Sequence, residues 1–378
     1  MYIAIAIFIF GLIIAIHEFG HYIAAKLFGV GVPEFAIGMG PRLLKKQGKE
    51  TLYSLRAIPI GGFCSMDGDD NEVQGPKSLF SKPIWQRIII FVAGSFLNIV
   101  AGFLVILFVV VPLMLSTVGA LSTTTLSGLH EDFPLTGEHG LMAGDRFHRI
   151  DGVRIYQNNN IGMFLDMRTH DTVDIVVIRD GRQVELNDLP LQRQNYLVQR
   201  PVLDEAGTPL YIDGEPVYEE VSAYLFGFFF HSIQNPTVFD RVTYAWNDTR
   251  DFMRQLPLTI RMFATGQAGM EDVSSVVGIV DIMHQAGTTA PTAGMAVLRL
   301  AMLAAIISIS VAMVNLAPIP GLDGGRIFLM LVTAAIEKIT RRPVNRKIET
   351  YINAVGLALL FAFMIYIVLA DIIQIASR

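Results

Sequence analysis

The run from Met1 to Val30 is almost unbroken apolar sequence, yet within it stands Ile16-His17-Glu18-Phe19-Gly20-His21. About 20 apolar residues suffice to cross a bilayer as a helix, so this run is long enough to span. On a helix, His17 and His21 lie four apart on one face, placed to grip one metal ion. Glu18 stands beside them and can serve as base for a metal-activated water. Ionisable groups within a span are costly and so mark function. A histidine pair with a purely structural purpose would leave Glu18 unexplained. The chain is therefore confined to folds that place a metal motif among apolar helices.

The composition agrees. Of 378 residues 52% are hydrophobic and only 17% charged, against about 25% charged in soluble domains. The single cysteine, Cys64, excludes an internal disulfide and a cysteine-cluster metal site. A net charge of −5 without a basic tract argues against nucleic acid as a partner. The first apolar run has no positive flank and no small-residue cleavage site, so it is expected to be a retained span.

Three further segments reach spanning length: about 84–115, about 294–317 and about 351–374. Between the first and second spans, residues 26–87 carry nine Lys/Arg; residues 326–347, between the third and fourth, carry six. Four spans put these two loops on one side, and the positive-inside rule makes that side cytoplasmic. Residues 116–298 contain no lysine, with twelve Arg against twenty-three Asp/Glu, and are expected to face outward with both termini. His17 and His21 then lie in the cytoplasmic half of the first span.

In the first cytoplasmic loop, residues 32–41 and 51–63 are β-prone and punctuated by Gly and Pro, with a polar tip at Lys45 to Lys49. A strand edge there could receive an extended substrate; a plain cytoplasmic hairpin is the equal alternative. Outside, Ser122-Thr123-Thr124-Thr125 reads as a polar link into a compact domain over about 119–231. Asp151-Gly152 and Asp180-Gly181 read as tight turns between strands. The Gly140-Leu141-Met142-Ala143-Gly144-Asp145 run with the turn after it resembles the middle of a PDZ domain, a fold that binds an extended peptide along a sheet edge. The residues leave its ligand open. Polar and acidic residues over about 190–222 suggest an inserted arm or edge hairpin, and Tyr224 to Phe230 a strand. Residues 235–263 are amphipathic in helical register, either lying at the outer membrane interface or packing on the PDZ domain.

Catalytic zinc needs a third protein ligand and an open position for water. No suitable residue follows His21 on its own helix. Asp323 lies in Asn315-Leu316-Ala317-Pro318-Ile319-Pro320-Gly321-Leu322-Asp323-Gly324-Gly325-Arg326, at the cytoplasmic end of the third span. The topology brings it to the side and depth of His17 and His21. It could cap a helix, but a buried acid at matching depth favours metal ligation.

Together, these two motifs resemble the site-2 protease family of intramembrane metalloproteases, of the bacterial regulator-of-sigma type with one extracytoplasmic PDZ domain. The resemblance covers almost the whole chain, including the loop ending Gly61-Gly62-Phe63, Gly94 to Asn98, and Gly278-Ile279-Val280. It implies His17, His21 and Asp323 as ligands of Zn2+, Glu18 as catalytic base, and Asn315 as a group that holds substrate or stabilises the oxyanion. Ser95 stands where the family usually has proline, and Ser275-Val276-Val277 replaces a common Gly-Pro step; neither touches an implied ligand.

The expected fold class is thus an α-helical integral membrane protein of four transmembrane helices with a membrane-associated β-loop and an inserted PDZ domain. The first half of the membrane core would occupy 1–118 and the PDZ domain 119–231, its arm at about 190–222. An amphipathic interfacial segment would occupy 232–293, and the second half of the core 294–378. The implied activity is cleavage of transmembrane protein or peptide substrates, such as anti-sigma factors or signal peptide remnants, in the bacterial plasma membrane. The other readings are a membrane-bound zinc protease acting on loops outside the bilayer and a non-catalytic scaffold or metal transporter.

Overall fold

The computed structural model describes all residues except 69–74, 167–170, 203–210, 213–214, 267–268, 270–272, 274, 345–346 and 377–378. The chain opens with α1 (Tyr2–Leu27), followed by the hairpin β1 (Glu34–Gln47) and β2 (Leu52–Ser65). Next, α2 (Ile84–Val105) runs through a π-helical stretch (Ile106–Val110) into α3 (Val111–Thr117). Pro112 explains the wide turn: it has no N–H to donate, and its ring crowds the carbonyl of Phe108.

The next region holds β3 (Leu121–Leu129), β4 (Arg146–Ile150), β5 (Val153–Arg154), α4 (Ile161–Asp166), β6 (Val173–Arg179) and β7 (Arg182–Leu189). It continues with β8 (Gln194–Pro201), β9 (Tyr211–Ile212), β10 (Glu215–Pro216), β11 (Tyr218–Leu225) and β12 (Phe228–Ile233). Then follow α5 (Val238–Met253), α6 (Gln255–Ala264), α7 (Val276–Thr288), α8 (Ala293–Asn315), α9 (Asp323–Thr340) and α10 (Lys347–Ala376). Among the described residues, four helical stretches are long and apolar enough to cross a membrane: Tyr2–Leu27, Ile84–Thr117, Ala293–Asn315 and Ile348–Ile373.

Apolar helices in lipid gain little from hydrophobic burial against one another, so close approach through small residues holds them. A Cβ on Gly20 of α1 would meet the carbonyl oxygen of Ala93 in α2 at 2.3 Å, and one on Gly102 of α2 would meet Ile309 of α8 at 2.5 Å. The fourth span is tied by polar groups as well. The Asp371 carboxylate accepts from the Ser275 N–H (2.6 Å), the Ser275 hydroxyl (2.5 Å) and the Gly278 N–H (3.2 Å), capping α7 from α10.

Outside the helices, an antiparallel sheet runs β12-β3-β4-β6-β7, with β5 paired to β4. Asp151-Gly152 and Asp180-Gly181 all have positive φ, the paired left-handed turn that suits the twist of a hairpin. Leu126, Leu141, Phe147, Ile175, Val177 and Leu186 form the centre of this domain's core. Asp145, fully buried, accepts from Arg179 Nε (2.8 Å) and Nη2 (2.7 Å) and from the Met142 N–H (2.9 Å), fixing the Gly140–Asp145 loop onto β6.

Ser122 to Thr125, expected as a polar link, are instead part of β3, a central strand. Ser and Thr look loop-like by polarity, but the β-branched threonines suit a strand, and the leucines on either side of the run, Leu121 and Leu126, are both buried. The stretch from Tyr224 to Phe230, expected as one strand, is divided by Gly227 (φ +80°) into the ends of β11 and β12. Strands β8 and β11 form a separate antiparallel ladder over the arm; Asp204, Glu205 and Asp213 of the arm lie outside the described residues.

Candidate active site

In α1, the i, i+4 spacing turns His17 and His21 to the same side, and both are buried. Their Nε2 atoms are 3.1 Å apart. The third group arrives from α9. Pro318 and Pro320 cannot continue α8. The chain turns there and starts a new helix whose first residue is Asp323, with Gly324 and Gly325 packed so tightly that a Cβ on either would meet backbone atoms at 2.3 and 2.1 Å. Asp323 Oδ2 lies 3.1 Å from the Nε2 of His17 and 3.1 Å from that of His21. Helix α2 closes the back of the site. Gly94 lies against the imidazoles, where a Cβ would sit 2.5 Å from His21 Nε2.

The donor atoms form a triangle of equal sides. Among the described residues, His17, His21 and Asp323 are the group whose geometry could hold a metal ion. His21 Nδ1 donates to the Ile90 carbonyl at 2.8 Å, so a neutral His21 turns its Nε2 lone pair to the other two donors. Three electron pairs then converge on one point, an arrangement that calls for a cation. A tetrahedral zinc with N and O donors at about 2.0–2.1 Å sets those donors about 3.3 Å apart. The set fits zinc in size and chemistry, with two imidazoles, one carboxylate and no thiolate.

Glu18 and Asn315 stand on either side of this triangle. A hydrogen bond from the backbone N–H of Cys64 in β2 steadies the Glu18 carboxylate. A Cβ on Gly62 would come 3.4 Å from Glu18 Cγ. Asn315 Nδ2, on the last turn of α8, is 3.5 Å from His17 Nε2. All five sequence-derived residues line one cavity of about 330 Å³, open to the outside, together with Phe63, Cys64, Phe91 and Arg326. Sequence reasoning did not assign the Ile90 carbonyl, which orients His21, or the contact of Gly94 with the imidazoles. A backbone carbonyl leaves no trace in residue type. Gly94 was legible as a special position in the second span, but its neighbour was not.

The site has the design of a metalloprotease. A His-Glu-x-x-His helix and a distant carboxylate converge inside a bundle of apolar helices, next to a cavity that can admit water and a peptide. Peptidase family M50 matches residues 5–363, and the chain belongs to that family. Among similar proteins, a Clostridium perfringens protein bearing the name of a zinc metalloprotease is 32% identical over 374 residues, covering 99% of each chain. The metalloprotease MmpA of Caulobacter vibrioides is 27% identical, over 95% of this chain and 92% of its own. The regulator of sigma-W protease RasP of Bacillus subtilis is 25% identical, over 97% of both. The protein is a zinc metalloprotease of the site-2 protease family.

Proposed function

We propose that the protein is an intramembrane endopeptidase that cuts transmembrane segments of other membrane proteins near the cytoplasmic face. What carries the reading is the His17–His21–Asp323 triangle, buried among helices of spanning length. His17, His21 and Asp323 hold the zinc. When bound, zinc supplies a positive centre that polarises water and the scissile carbonyl. Glu18 accepts the proton of the attacking water and returns it to the leaving amine, a general acid–base role typically worth about 10²–10⁴-fold in rate. The Asn315 amide donates to the substrate carbonyl oxygen as negative charge builds there. A helical substrate hides its carbonyls, so it must unwind before cleavage. The edge of the β1–β2 hairpin, which reaches Glu18 through Gly62 and Cys64, offers the extended segment a strand to pair with.

The orientation read from the charge bias puts this site toward the cytoplasm and the β-sheet domain outside the bacterial plasma membrane, with both termini outside. We assign that domain to the PDZ fold and give it the role of a filter that admits substrates already stripped of bulky outer domains, as the family resemblance implies. Anti-sigma factors and signal peptide remnants are the substrate classes of this reading. Its partners are the lipid bilayer and transmembrane proteins, with no nucleic acid.

The test compares the membrane proteome of cells carrying the wild type with that of cells carrying Glu18→Gln. The variant is expected to keep its zinc, lose peptide hydrolysis by about 10³-fold, and accumulate uncut transmembrane segments. Cleavage sites mapped outside the apolar runs of substrates would replace this reading with a protease acting on loops. Activity surviving in the variant would remove Glu18 from its role.

A further inference from the structure

Four arginines line one cleft between β5 of the sheet domain and helices α5 and α6. Arg154 comes from β5, Arg250 from α5, Arg254 from the α5–α6 junction and Arg261 from α6. The cleft encloses about 690 Å³ and is lined also by Tyr156 and Leu258, and among the described residues no carboxylate lines it. This is notable in a region where acids outnumber arginines by twenty-three to twelve. The guanidinium carbons of Arg250, Arg254 and Arg154 stand 4.1, 5.0 and 6.0 Å from the centre of the Tyr156 ring. A shared aromatic face partly offsets such crowding. The nearest counter-charge is Asp251, buried beneath and paired with Arg254 Nη2 at 2.6 Å. Arg154 and Arg261, at the two ends of the cleft, are exposed. Arg254 is taken up by Asp251 and by the Arg154 carbonyl, to which its Nη1 donates; among the described residues Arg154, Arg250 and Arg261 then leave a surplus of positive charge along the cleft.

The position of the cleft suggests what neutralises that charge. On its other face α5 packs Tyr244, Ala245 and Phe252 against Ile106, Val110 and Val111, toward the outer end of the second span, and against Ala305 of α8. Trp246 of α5 meets Phe103 of that span edge-on, at 6.3 Å between ring centres, and is half-exposed. Helix α6 buries nothing and exposes Ile260 and Phe263. A tryptophan beside a span and an apolar helix face left bare are features of the level where headgroups meet acyl chains. Guanidinium groups match phosphate oxygens in pairs, in charge and in geometry.

We propose that this cleft binds the phosphate of an anionic phospholipid headgroup from the outer leaflet. The acyl chains would run along α6 beside Ile260 and Phe263. The inference rests on the membrane placement of the four helices but not on any residue of the catalytic cavity. Seated there, the lipid would join β5 of the outer domain to α5 and α6, and so fix the stance of the outer domain above the membrane core.

The test uses the full-length protein in detergent with an equimolar mixture of phosphatidylglycerol and phosphatidylcholine, bound lipid being read by native mass spectrometry. The wild type is expected to retain phosphatidylglycerol about tenfold over phosphatidylcholine, and Glu18→Gln to do the same. The double variant Arg154→Gln/Arg261→Gln is expected to lose that preference while keeping the wild-type Tm in phosphatidylcholine. Should it misfold, Arg261→Gln by itself changes an exposed side chain and must still weaken the preference. Equal retention of both lipids by the wild type would overturn the proposal, as would a preference that survives in the variants. Displacement of the lipid by millimolar inorganic phosphate, or by a short peptide with a free carboxyl terminus, would assign the cleft to those anions instead. A protein that keeps phosphatidylglycerol but cuts no transmembrane segment would sink the intramembrane reading and leave this one standing; such cleavage without lipid preference would do the reverse.

Discussion

At the scale of single residues, the His17–His21–Asp323 triangle depends on groups that are not part of it. Gly94 is the sharpest case. A methyl group there would need to occupy space 2.5 Å from His21 Nε2 and 2.8 Å from His17 Cε1. No rotamer relieves this, because Gly20 already brings α1 against the α2 backbone. Gly94→Ala is therefore expected to displace both imidazoles, lower bound zinc well below one per chain, and reduce activity by at least about 10²-fold, since small misplacements of reacting groups have effects of that size. Metal analysis of the purified variant checks it. Gly128→Ala is the control: a Cβ there meets nothing within 4 Å, and both zinc content and activity should match the wild type. The five residues of the site were legible in sequence because each is chemically out of place in apolar surroundings. The glycine's role was not, because a missing side chain signals close approach without saying to what.

At the scale of elements, α5 couples the sheet domain to the helices of spanning length, and it does so through buried acids. Asp248 is buried on α5, and burial, then the neighbouring Asp251, pushes its carboxyl up to about 7. Asp251 is pushed up to about 6, chiefly by burial, although Arg254 opposes the shift. Across this interface Gln157 Nε2 donates to the Tyr244 carbonyl at 3.2 Å, and Asn160 Nδ2 donates to Asp251 Oδ2 at 3.0 Å. Both carboxyls hold their protons more tightly in the folded chain than in the unfolded one, where the usual value is 3.8. Their contribution to stability is thus complete below about pH 4 and is lost progressively as pH rises to about 7. Asp248→Asn keeps the shape without the charge. The variant should match the wild type below about pH 4 and be more stable at pH 8 by on the order of 1–3 kcal/mol. Tm measured at both pH values decides; an equal Tm for the two proteins at pH 8 would refute the argument. Sequence pattern found α5 through its helical apolar spacing and left open whether it lies on the membrane or on the outer domain. In the structure it packs on the spans through Tyr244, Ala245 and Phe252 and reaches the sheet domain through Gln157 and Asn160. Periodicity shows that a helix has an apolar face; it does not show what covers that face. The β8–β11 ladder was legible only as a polar inserted arm or edge hairpin, since it pairs by backbone bonds with little apolar burial of its own.

At the scale of the whole molecule, the helices of spanning length follow from composition, while the side on which each loop lies rests on lysine and arginine placement. The hairpin makes this orientation testable. Its carboxylate Glu34 accepts from Arg42 Nη2 at 2.7 Å, Ser54 Oγ at 2.7 Å and Arg56 Nη2 at 2.9 Å, locking the two strands together. Burial works against ionisation of Glu34, but these donors outweigh it and hold the carboxyl down at about 2, so the hairpin stays pinned at every physiological pH. Lys45 of β1 is exposed and does not line the catalytic cavity, and the same holds for Arg182 at the β6–β7 turn of the sheet domain. The single native cysteine, Cys64, is buried and can be replaced by serine to give a background free of thiols. In that background, a membrane-impermeant maleimide applied to intact spheroplasts should label Arg182→Cys and leave Lys45→Cys unlabelled until the membrane is opened by detergent. The reverse pattern would put the catalytic cavity toward the outside and the sheet domain in the cytoplasm, where it could not screen the outer parts of substrates. Labelling of both from one side would break the four-span arrangement itself, because β1–β2 and β3–β7 are separated by a single span, Ile84–Thr117.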